Sequence, residues 1–271
     1  MNTHHPLALG IVSDEVAADF GTAVQYGLSW GITRYELRCL STGRVPLVDR
    51  KELDGVAARV KQDGLHITAL SPGIFKSHLA DTALIERELV EVLPATLDLA
   101  AALSCGLIIV FGFQRKAGES DDRFNCAVEY MRRAAVAAAQ YNIRIAIENE
   151  PGFWCDTGKN THHVITTAAH SSLGANWDPC NAYGTDERPY PEGYEAVKDT
   201  IVNVHAKDTN KGALIQCVPI GAGAIDWRGQ IAALLHDGIV GHVTIETHCL
   251  PLIDNSRHNV EILRQYIQAS Q

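Results

Sequence analysis

No apolar run in this chain approaches the roughly 18 residues that a membrane-spanning helix requires. Cationic residues are also in deficit, because 23 lysines and arginines face 32 aspartates and glutamates and give a formal net charge of −9. Such a chain lacks the clustered cations that bind nucleic-acid backbones. We therefore expect neither a membrane nor a nucleic acid as partner, although one or two local cations would suffice for a small phosphorylated ligand.

The seven cysteines have no CxxC pair and form no even framework, which argues against a cysteine-rich zinc site and a disulfide scaffold. We interpret them as reduced thiols that pack as small buried side chains. Residues 1–9 lack the positive charge and the apolar length of a secretory signal. The absence of a disulfide framework and the absence of a secretory signal both predict a cytoplasmic location.

Short apolar runs rich in β-branched residues alternate along the chain with longer amphipathic runs, and eight such pairs can be counted. This alternation predicts βαβ units and a parallel sheet. Eight units in a chain of 271 residues favour closure into a (β/α)8 TIM barrel over an open sheet. The predicted fold class is thus α/β, with a single barrel domain over residues 1–271.

The predicted strands and helices follow directly from these runs. The strands are 7–13, 34–39, 66–71, 107–113, 144–150, 174–179, 201–207 and 242–247. The helices are 15–30, 49–63, 83–104, 121–141, 161–171, 191–199, 227–237 and 256–269. Pro94 lies inside the third helix and is expected to kink or divide it, because proline removes one intrahelical donor.

Metal-competent side chains end four consecutive predicted strands, where this fold keeps its reactive groups. They are Glu148, Asp178, His205 and Glu246. Neighbouring parallel strands are about 4.8 Å apart, so the four groups can converge on one ion. Three carboxylates and one imidazole favour Mn²⁺, with Mg²⁺, Co²⁺ and Zn²⁺ as alternatives. The metal-free alternative is a buried network with Lys207 or Arg34, which is expensive to desolvate.

Five short motifs carry a family resemblance: IE at 147–148, WDP at 177–179, VHAKD at 204–208, GAGAIDW at 221–227 and IETH at 245–248. They are similar to the signature of the xylose isomerase-like sugar phosphate isomerase/epimerase superfamily, whose fold is a TIM barrel. The resemblance covers nearly the whole chain. It implies the same four metal ligands.

The resemblance also implies that two of the ligands, Glu148 and Glu246, are catalytic. In the ketose 3-epimerase branch, substrate oxygens chelate the metal, one glutamate removes a carbon-bound proton and the other returns a proton to the opposite face. A carbon acid beside a carbonyl is deprotonated at pH 7 only if its enediolate is stabilised, which a divalent ion does. We therefore expect a carbohydrate isomerase or epimerase.

Two other functions stay open. A lyase or dehydratase acting on a keto sugar or inosose begins with the same proton abstraction, so the metal site does not separate it from an epimerase. A non-catalytic sugar-binding barrel would keep the fold without turnover. An abasic-site endonuclease is disfavoured, because it would need further metal ligands and a basic face, both of which the sequence lacks. Relatives commonly form dimers or tetramers, so a homo-oligomer is the expected protein partner.

Four further residues are predicted to contact a small-molecule carbohydrate substrate: Glu150, Asn181, Lys211 and His248. Glu150 and His248 each follow a ligand by two residues and so point to the same side of an extended strand. Lys211 falls where epimerases of the superfamily carry a substrate-binding arginine. Asn181 stands where they often have a histidine, a departure that favours the lyase.

Two outer groups of residues lie just beyond strand ends. Aromatic side chains that either wall a sugar pocket or pack in the core are Phe75, Phe111, Phe113 and Trp154. Cations that either clamp a phosphate or carboxylate or remain solvated are Arg38, Lys76 and Arg115.

Overall fold

Eight parallel strands form a closed barrel in a computed structural model that describes residues 7–212 and 214–270. They are β1 Ala8–Val12, β2 Arg34–Leu37, β3 His66–Leu70, β4 Leu107–Phe111, β5 Arg144–Glu148, β6 Leu173–Trp177, β7 Ile201–Ala206 and β8 His242–Ile245. Each strand pairs with its sequence neighbours, and β8 closes on β1. The predicted (β/α)8 TIM barrel is confirmed.

Some predictions fall partly outside the described residues. The domain bounds 1–271 stay a prediction, because residues 1–6, 213 and 271 are not described. The predicted absence of a secretory signal in residues 1–9 lies mostly in the same segment. No described helix combines the length and the apolar character needed to cross a bilayer.

Every predicted strand is present, but each ends one or two residues earlier than predicted. At the carboxyl rim the backbone stops pairing with the neighbouring strands, because its N–H groups bond to other partners or its φ angles change. Phe113 and His248 have left-handed φ angles of 60° and 51°, which do not continue a strand. The Asp178 N–H donates to the side chain of Asn149 instead of to a neighbouring strand. Glu148 and His205 therefore lie at the ends of strands β5 and β7, whereas Asp178 and Glu246 are the first residues after β6 and β8.

Helices fill the connections between strands. Those of the described residues are α1 Phe20–Ser29, α2 Arg50–Gln62, α3 Thr82–Arg87, α4 Leu93–Ala102, α5 Asp121–Ala139, α6 Gly158–Ala168, α7 Pro179–Tyr183, α8 Tyr194–Val197, α9 Trp227–Asp237 and α10 Leu252–Ala269. The third predicted helix is divided as expected. A π-helical turn, Glu88–Val92, separates α3 from α4, and Pro94 follows it without an amide proton to donate.

Four helices begin three or more residues from their predicted starts. α1 begins at Phe20, because the side chain of Asp19 caps it by accepting from Thr22 N. α6 begins at Gly158, because Thr157 caps it in the same way. α10 begins at Leu252, where Pro251 supplies the extended N-cap. The helix predicted at 191–199 is α-helical only over α8, because a π-helical segment with two prolines, Pro189–Gly193, precedes it and a 3₁₀ turn, Lys198–Thr200, follows it.

Two short hairpins rise from the carboxyl rim of the barrel. One pairs Cys39–Leu40 with Gly43–Arg44, and the other pairs Asp208–Thr209 with Cys217–Val218. All seven cysteines are free thiols, of which three are buried and four are partly exposed. Reduced thiols were predicted, but the prediction of burial was wrong for four of them. Cys39, Cys217 and Cys249 lie on rim segments that are covered on one side only, and Cys126 lies on helix α5.

Candidate metal centre

The side chains of Glu148, Asp178, His205 and Glu246 meet at the carboxyl rim. Each offers one ligand atom, and these atoms lie within 4.8 Å of one another. His205 Nδ1 is 3.6 Å from Glu148 Oε1 and 3.5 Å from Glu246 Oε2. All four residues are at most 5% exposed. The structure therefore brings together the four predicted ligands.

Buried polar partners orient the imidazole of His205. Glu36 Oε2 lies 2.9 Å from Nε2. Asn203 donates to Asn176 Oδ1, which turns the Asn176 amide nitrogen toward His205 Nδ1 at 3.2 Å. In the neutral ring, an acceptor at Nε2 and a donor at Nδ1 both favour the tautomer with its proton on Nε2, and an ion at Nδ1 would take the place of the Asn176 donor. The Nδ1 lone pair then faces the carboxylates, as in metal sites whose histidine is held by an outer acceptor.

Asp178 is held by its neighbours through one oxygen and its backbone. Its Oδ1 accepts from the N–H groups of Cys180 and Asn181 at 2.8 and 3.0 Å. Asn149 bonds both the N–H and the carbonyl of Asp178 at 2.8 Å. The Oδ2 atom of Asp178 forms an ion pair with Lys207, whose Nζ lies 2.8 Å away. Oδ2 therefore faces the cluster with a positive charge beside it, and a metal ion would be a second cation for the same oxygen.

Glu246 contacts a different cation with each oxygen. Lys207 Nζ donates to Oε2 at 2.9 Å, and Arg38 Nη1 donates to Oε1 at 2.7 Å. Lys207 is thus part of the cluster, as the metal-free alternative required. Arg34 is not, because it starts β2 and lies near His242 at the amino end of the barrel.

The cluster has strong internal electrostatics. Burial alone would lower the pKa of His205, but Glu36, Glu148 and Glu246 together raise it well above the usual value. Burial would raise the pKa of Glu246, but Lys207 and His205 hold it well below the usual value. Burial raises the pKa of Glu36, and contact with His205 offsets only part of that rise. Without an ion, a protonated imidazole balances the carboxylates; a divalent cation would take over that role.

A cavity of about 200 Å³ opens onto the cluster. Glu148 and Glu246 line it together with three of the predicted substrate contacts, Glu150, Asn181 and His248. The strand alternation explains the placement of Glu148, because it follows the inward-facing Ala146 by two residues on β5. One small molecule in this cavity would therefore touch both glutamates.

The three predicted substrate contacts in the cavity are held by hydrogen bonds or ion pairs. Asn181 donates to Glu148 Oε1 at 3.3 Å and to the Asn149 carbonyl at 2.9 Å. His248 is held by Glu15, whose two oxygens lie 2.7 Å from its backbone N and 2.6 Å from its Nδ1. Glu150 Oε2 lies 3.2 Å from the Lys76 ammonium.

Other sequence candidates lie elsewhere. Lys211 is exposed in the hairpin loop before Cys217 and does not line the cavity, so its substrate contact stays a prediction. Phe111 lines the cavity, whereas Phe75 and Phe113 stack on each other in the core. The Arg115 guanidinium lies over the Trp154 ring at 4.3 Å, away from the cavity lining.

Comparison with known proteins places this barrel in a family. Residues 24–266 match the xylose isomerase-like TIM barrel family. The chain belongs to this family. The resemblance read from the sequence motifs is therefore confirmed over most of the chain. No curated protein sequence matches the chain significantly.

Solved structures share the family fold. A D-tagatose 3-epimerase-like protein aligns with a TM-score of 0.81 and 17% identity, covering 97% of this chain and 98% of its own. The probable 3-DHS dehydratase AsbF from Bacillus anthracis aligns with a TM-score of 0.79 and 18% identity, covering 95% of this chain and 99% of its own. The IOLI protein with a binding zinc atom aligns with a TM-score of 0.77 and 15% identity, covering 97% of this chain and 98% of its own. These identities show the fold alone, and that fold serves epimerases and a dehydratase.

Several residues around this cluster were not assigned from the sequence. They are Glu15, Glu36, Asn149 and Asn176, together with Arg44 on the rim hairpin. A signal for Glu36 was present, because it is a carboxylate in the otherwise apolar stretch between Tyr35 and Leu37. The others are polar loop or strand residues whose partners become visible only in three dimensions.

Proposed function

We propose that the chain is a divalent-metal-dependent isomerase or epimerase acting on a carbohydrate. The observation that carries this proposal is the convergence of Glu148, Asp178, His205 and Glu246 on one point beside a cavity. Their hard oxygens and single imidazole nitrogen fit Mn²⁺, our first choice, with Mg²⁺, Co²⁺ and Zn²⁺ as alternatives. A bound ion would act as a Lewis acid toward substrate oxygens.

Glu148 and Glu246 are the proposed proton acceptor and donor. Both line the cavity: Glu148 ends β5 and Glu246 follows β8, and two other strands separate β5 from β8. Asn181 donates to Glu148, while Arg38 donates to Glu246. These contacts hold the two carboxylates in place, so one would take a proton from the carbon beside a carbonyl and the other would deliver one to the opposite face.

The remaining polar groups of the cavity are the proposed substrate contacts. Glu150, Asn181 and His248 supply a carboxylate, an amide and an imidazole at its wall. Lys211 is retained as a predicted contact that would require the hairpin loop to approach the substrate. The preference for Mn²⁺, the homo-oligomer, the cytoplasmic location and the lack of nucleic-acid or membrane partners likewise stay predictions.

A lyase or dehydratase is the second candidate. It is favoured by the chemistry of Asn181, whose amide bonds Glu148 and the Asn149 carbonyl and has no charge to supply to a substrate carbonyl. A dehydratase among the proteins of similar fold is consistent with this alternative. The same proton abstraction would begin the reaction, so the products decide between the two.

Isotope incorporation tests both candidates. Metal-loaded protein is incubated in deuterated water with ketoses, 3-keto sugars and inososes. Solvent deuterium in a recovered isomer supports an isomerase or epimerase, and loss of water from the substrate supports the dehydratase. A folded, metal-loaded protein that turns over none of these compounds would instead indicate the non-catalytic sugar-binding barrel.

Isosteric variants test the two glutamates. Glu148→Gln and Glu246→Gln should each slow turnover by about 10²-fold or more while the barrel stays folded, because an amide cannot accept the proton. Glu86→Gln, which removes an exposed carboxylate paired with Arg133, should leave turnover unchanged. Near-normal turnover by Glu148→Gln or Glu246→Gln would refute that residue's role.

A further inference from the structure

Four lysine and arginine side chains line the cavity, and three of them are paired with carboxylates. Arg38 and Lys207 both contact Glu246, and Lys76 contacts a second glutamate. Arg44 differs, because within the described part of the chain its guanidinium meets only neutral acceptors. Among the four cations of the cavity lining, Arg44 is therefore the one whose charge no described carboxylate neutralises.

Arg44 is also held in a fixed position. It ends the rim hairpin, where its Nε donates to the Ser71 carbonyl at 2.9 Å and its Nη2 lies 3.3 Å from Ser71 Oγ. The guanidinium packs against Gly73, where an added Cβ would lie 3.0 Å from Arg44 Nε and 3.1 Å from Cζ. Gly73 has a φ of 82°, so glycine suits this position in both conformation and space. The remaining N–H groups of Arg44 stay free for a ligand.

This arrangement matches the recognition of an anion. A partly buried guanidinium without a counter-charge attracts negative groups more strongly than an exposed one, since water screens it less. Its planar N–H groups fit the paired oxygens of carboxylates and phosphates. Arg38, one of the three sequence candidates for such a clamp, is already bonded to Asp14, Glu15 and Glu246 and is not available.

We propose that Arg44 binds an anionic group of the substrate, so that the carbohydrate is a sugar acid or a sugar phosphate and not a neutral sugar. The inference rests on the proposed function, in which Glu148 and Glu246 act at the other end of the same small molecule. One cavity of about 200 Å³ is lined by both glutamates and by Arg44, so a single ligand meets all three.

Binding calorimetry on the Mn²⁺-loaded protein tests the proposal with D-fructose and two derivatives that differ from it only at carbon 6. D-fructose is neutral, D-fructose 6-phosphate carries a phosphate, and D-fructuronate carries a carboxylate. The wild-type protein should bind at least one charged ligand about tenfold or more tightly than D-fructose, because a hydrogen bond between charged groups is stronger than a neutral one. The ligand that gains identifies the anion as phosphate or carboxylate.

Variants show whether Arg44 causes the preference. Arg44→Gln should lose most of it while its affinity for D-fructose changes less than about twofold, and Arg44→Lys should keep part of it because the charge remains. Arg50→Gln is the matched control, since it removes one positive charge from an arginine that is 87% exposed and paired with Asp54 outside the cavity. Its ligand affinities should equal those of the wild type.

Two results would overturn the proposal. One is a wild-type protein that binds no charged ligand more tightly than D-fructose, including one that binds none of the three. The other is an Arg44→Gln protein, folded by its thermal midpoint, that keeps the full preference. Elemental analysis of the same samples separates the two hypotheses: a metal-loaded protein without anion preference refutes the role of Arg44 alone, whereas a protein that retains no metal refutes the proposed metal-dependent function.

Discussion

Glu36→Gln alters the buried atom that accepts the His205 ring proton without changing the length of the side chain. Glu36 Oε2 lies 2.9 Å from His205 Nε2, and Oε1 has no partner within the described structure. A glutamine can turn either its oxygen or its NH₂ group toward the ring. With NH₂ toward Nε2, the ring proton moves to Nδ1, the atom that faces Glu148 and Glu246, and the ligand lone pair is lost.

The expected loss is about tenfold in Mn²⁺ affinity. Outer partners of metal-binding histidines typically contribute roughly 10- to 100-fold, or about 1.4 to 2.8 kcal/mol. The tenfold figure applies because one rotamer of glutamine keeps an acceptor toward the ring. A second effect opposes the loss of affinity. Glu36 is the first of the carboxylates that raise the pKa of the buried His205, so removing its charge weakens the competition of protons with the metal. The loss should therefore be larger at pH 8 than at pH 6.

Calorimetric titration with Mn²⁺ at both pH values measures this change. Glu88→Gln is the matched control, because Glu88 is also buried but accepts from the Phe75 N–H outside the metal cluster. We expect the control to bind Mn²⁺ as the wild type does. Wild-type affinity in a folded Glu36→Gln protein, or equal weakening in both variants, would show that Glu36 does not orient the ligand.

Two further predictions concern charge in the cluster. Lys207→Met removes the ammonium between Asp178 and Glu246, so the metal-free protein should lose roughly 3–5 kcal/mol of unfolding free energy. Mn²⁺ should then raise the thermal midpoint of the variant more than that of the wild type. An equal rise would contradict the charge argument. Mn²⁺ binding at pH 7 should release a proton, measurable by calorimetry in two buffers of different ionisation enthalpy, because burial would lower the pKa of His205 but three carboxylates raise it well above 6.5. Since the folded pKa of His205 exceeds the unfolded one, the imidazolium stabilises the metal-free protein fully below about pH 6.5. That stabilisation is lost as the pH rises through the folded pKa, and metal affinity rises over the same interval. Binding without proton release would refute the assignment of His205 as a protonated residue that the metal deprotonates.

The barrel and the four ligands could be predicted because each leaves a local pattern. Strands buried on both faces are continuous apolar runs, as in Leu107–Phe111, and a polar residue at the end of such a run marks the rim. The predicted ends of the strands were less accurate, since the left-handed conformations of Phe113 and His248 depend on packing at the rim. Local sequence does not encode that packing.

The partners of the ligands could not be predicted. Glu36 and His205 are 169 residues apart, and nothing local indicates that their side chains meet. Arg38 and Arg44 look alike in the sequence as cations after β2, yet one is bonded to carboxylates and the other is not. That difference depends on which acidic residues the closed barrel brings to each, and closure is a property of the whole chain.

Counting bound metal tests the convergence of Glu148, Asp178, His205 and Glu246 most directly. Wild-type protein loaded with Mn²⁺ and then dialysed should retain one ion per chain by elemental analysis. His205→Ala and Asp178→Asn should retain far less, whereas His236→Ala, which removes an exposed histidine from α9, should retain one. A wild-type protein without stoichiometric metal, or full retention by both site variants, would contradict a shared ion at this rim.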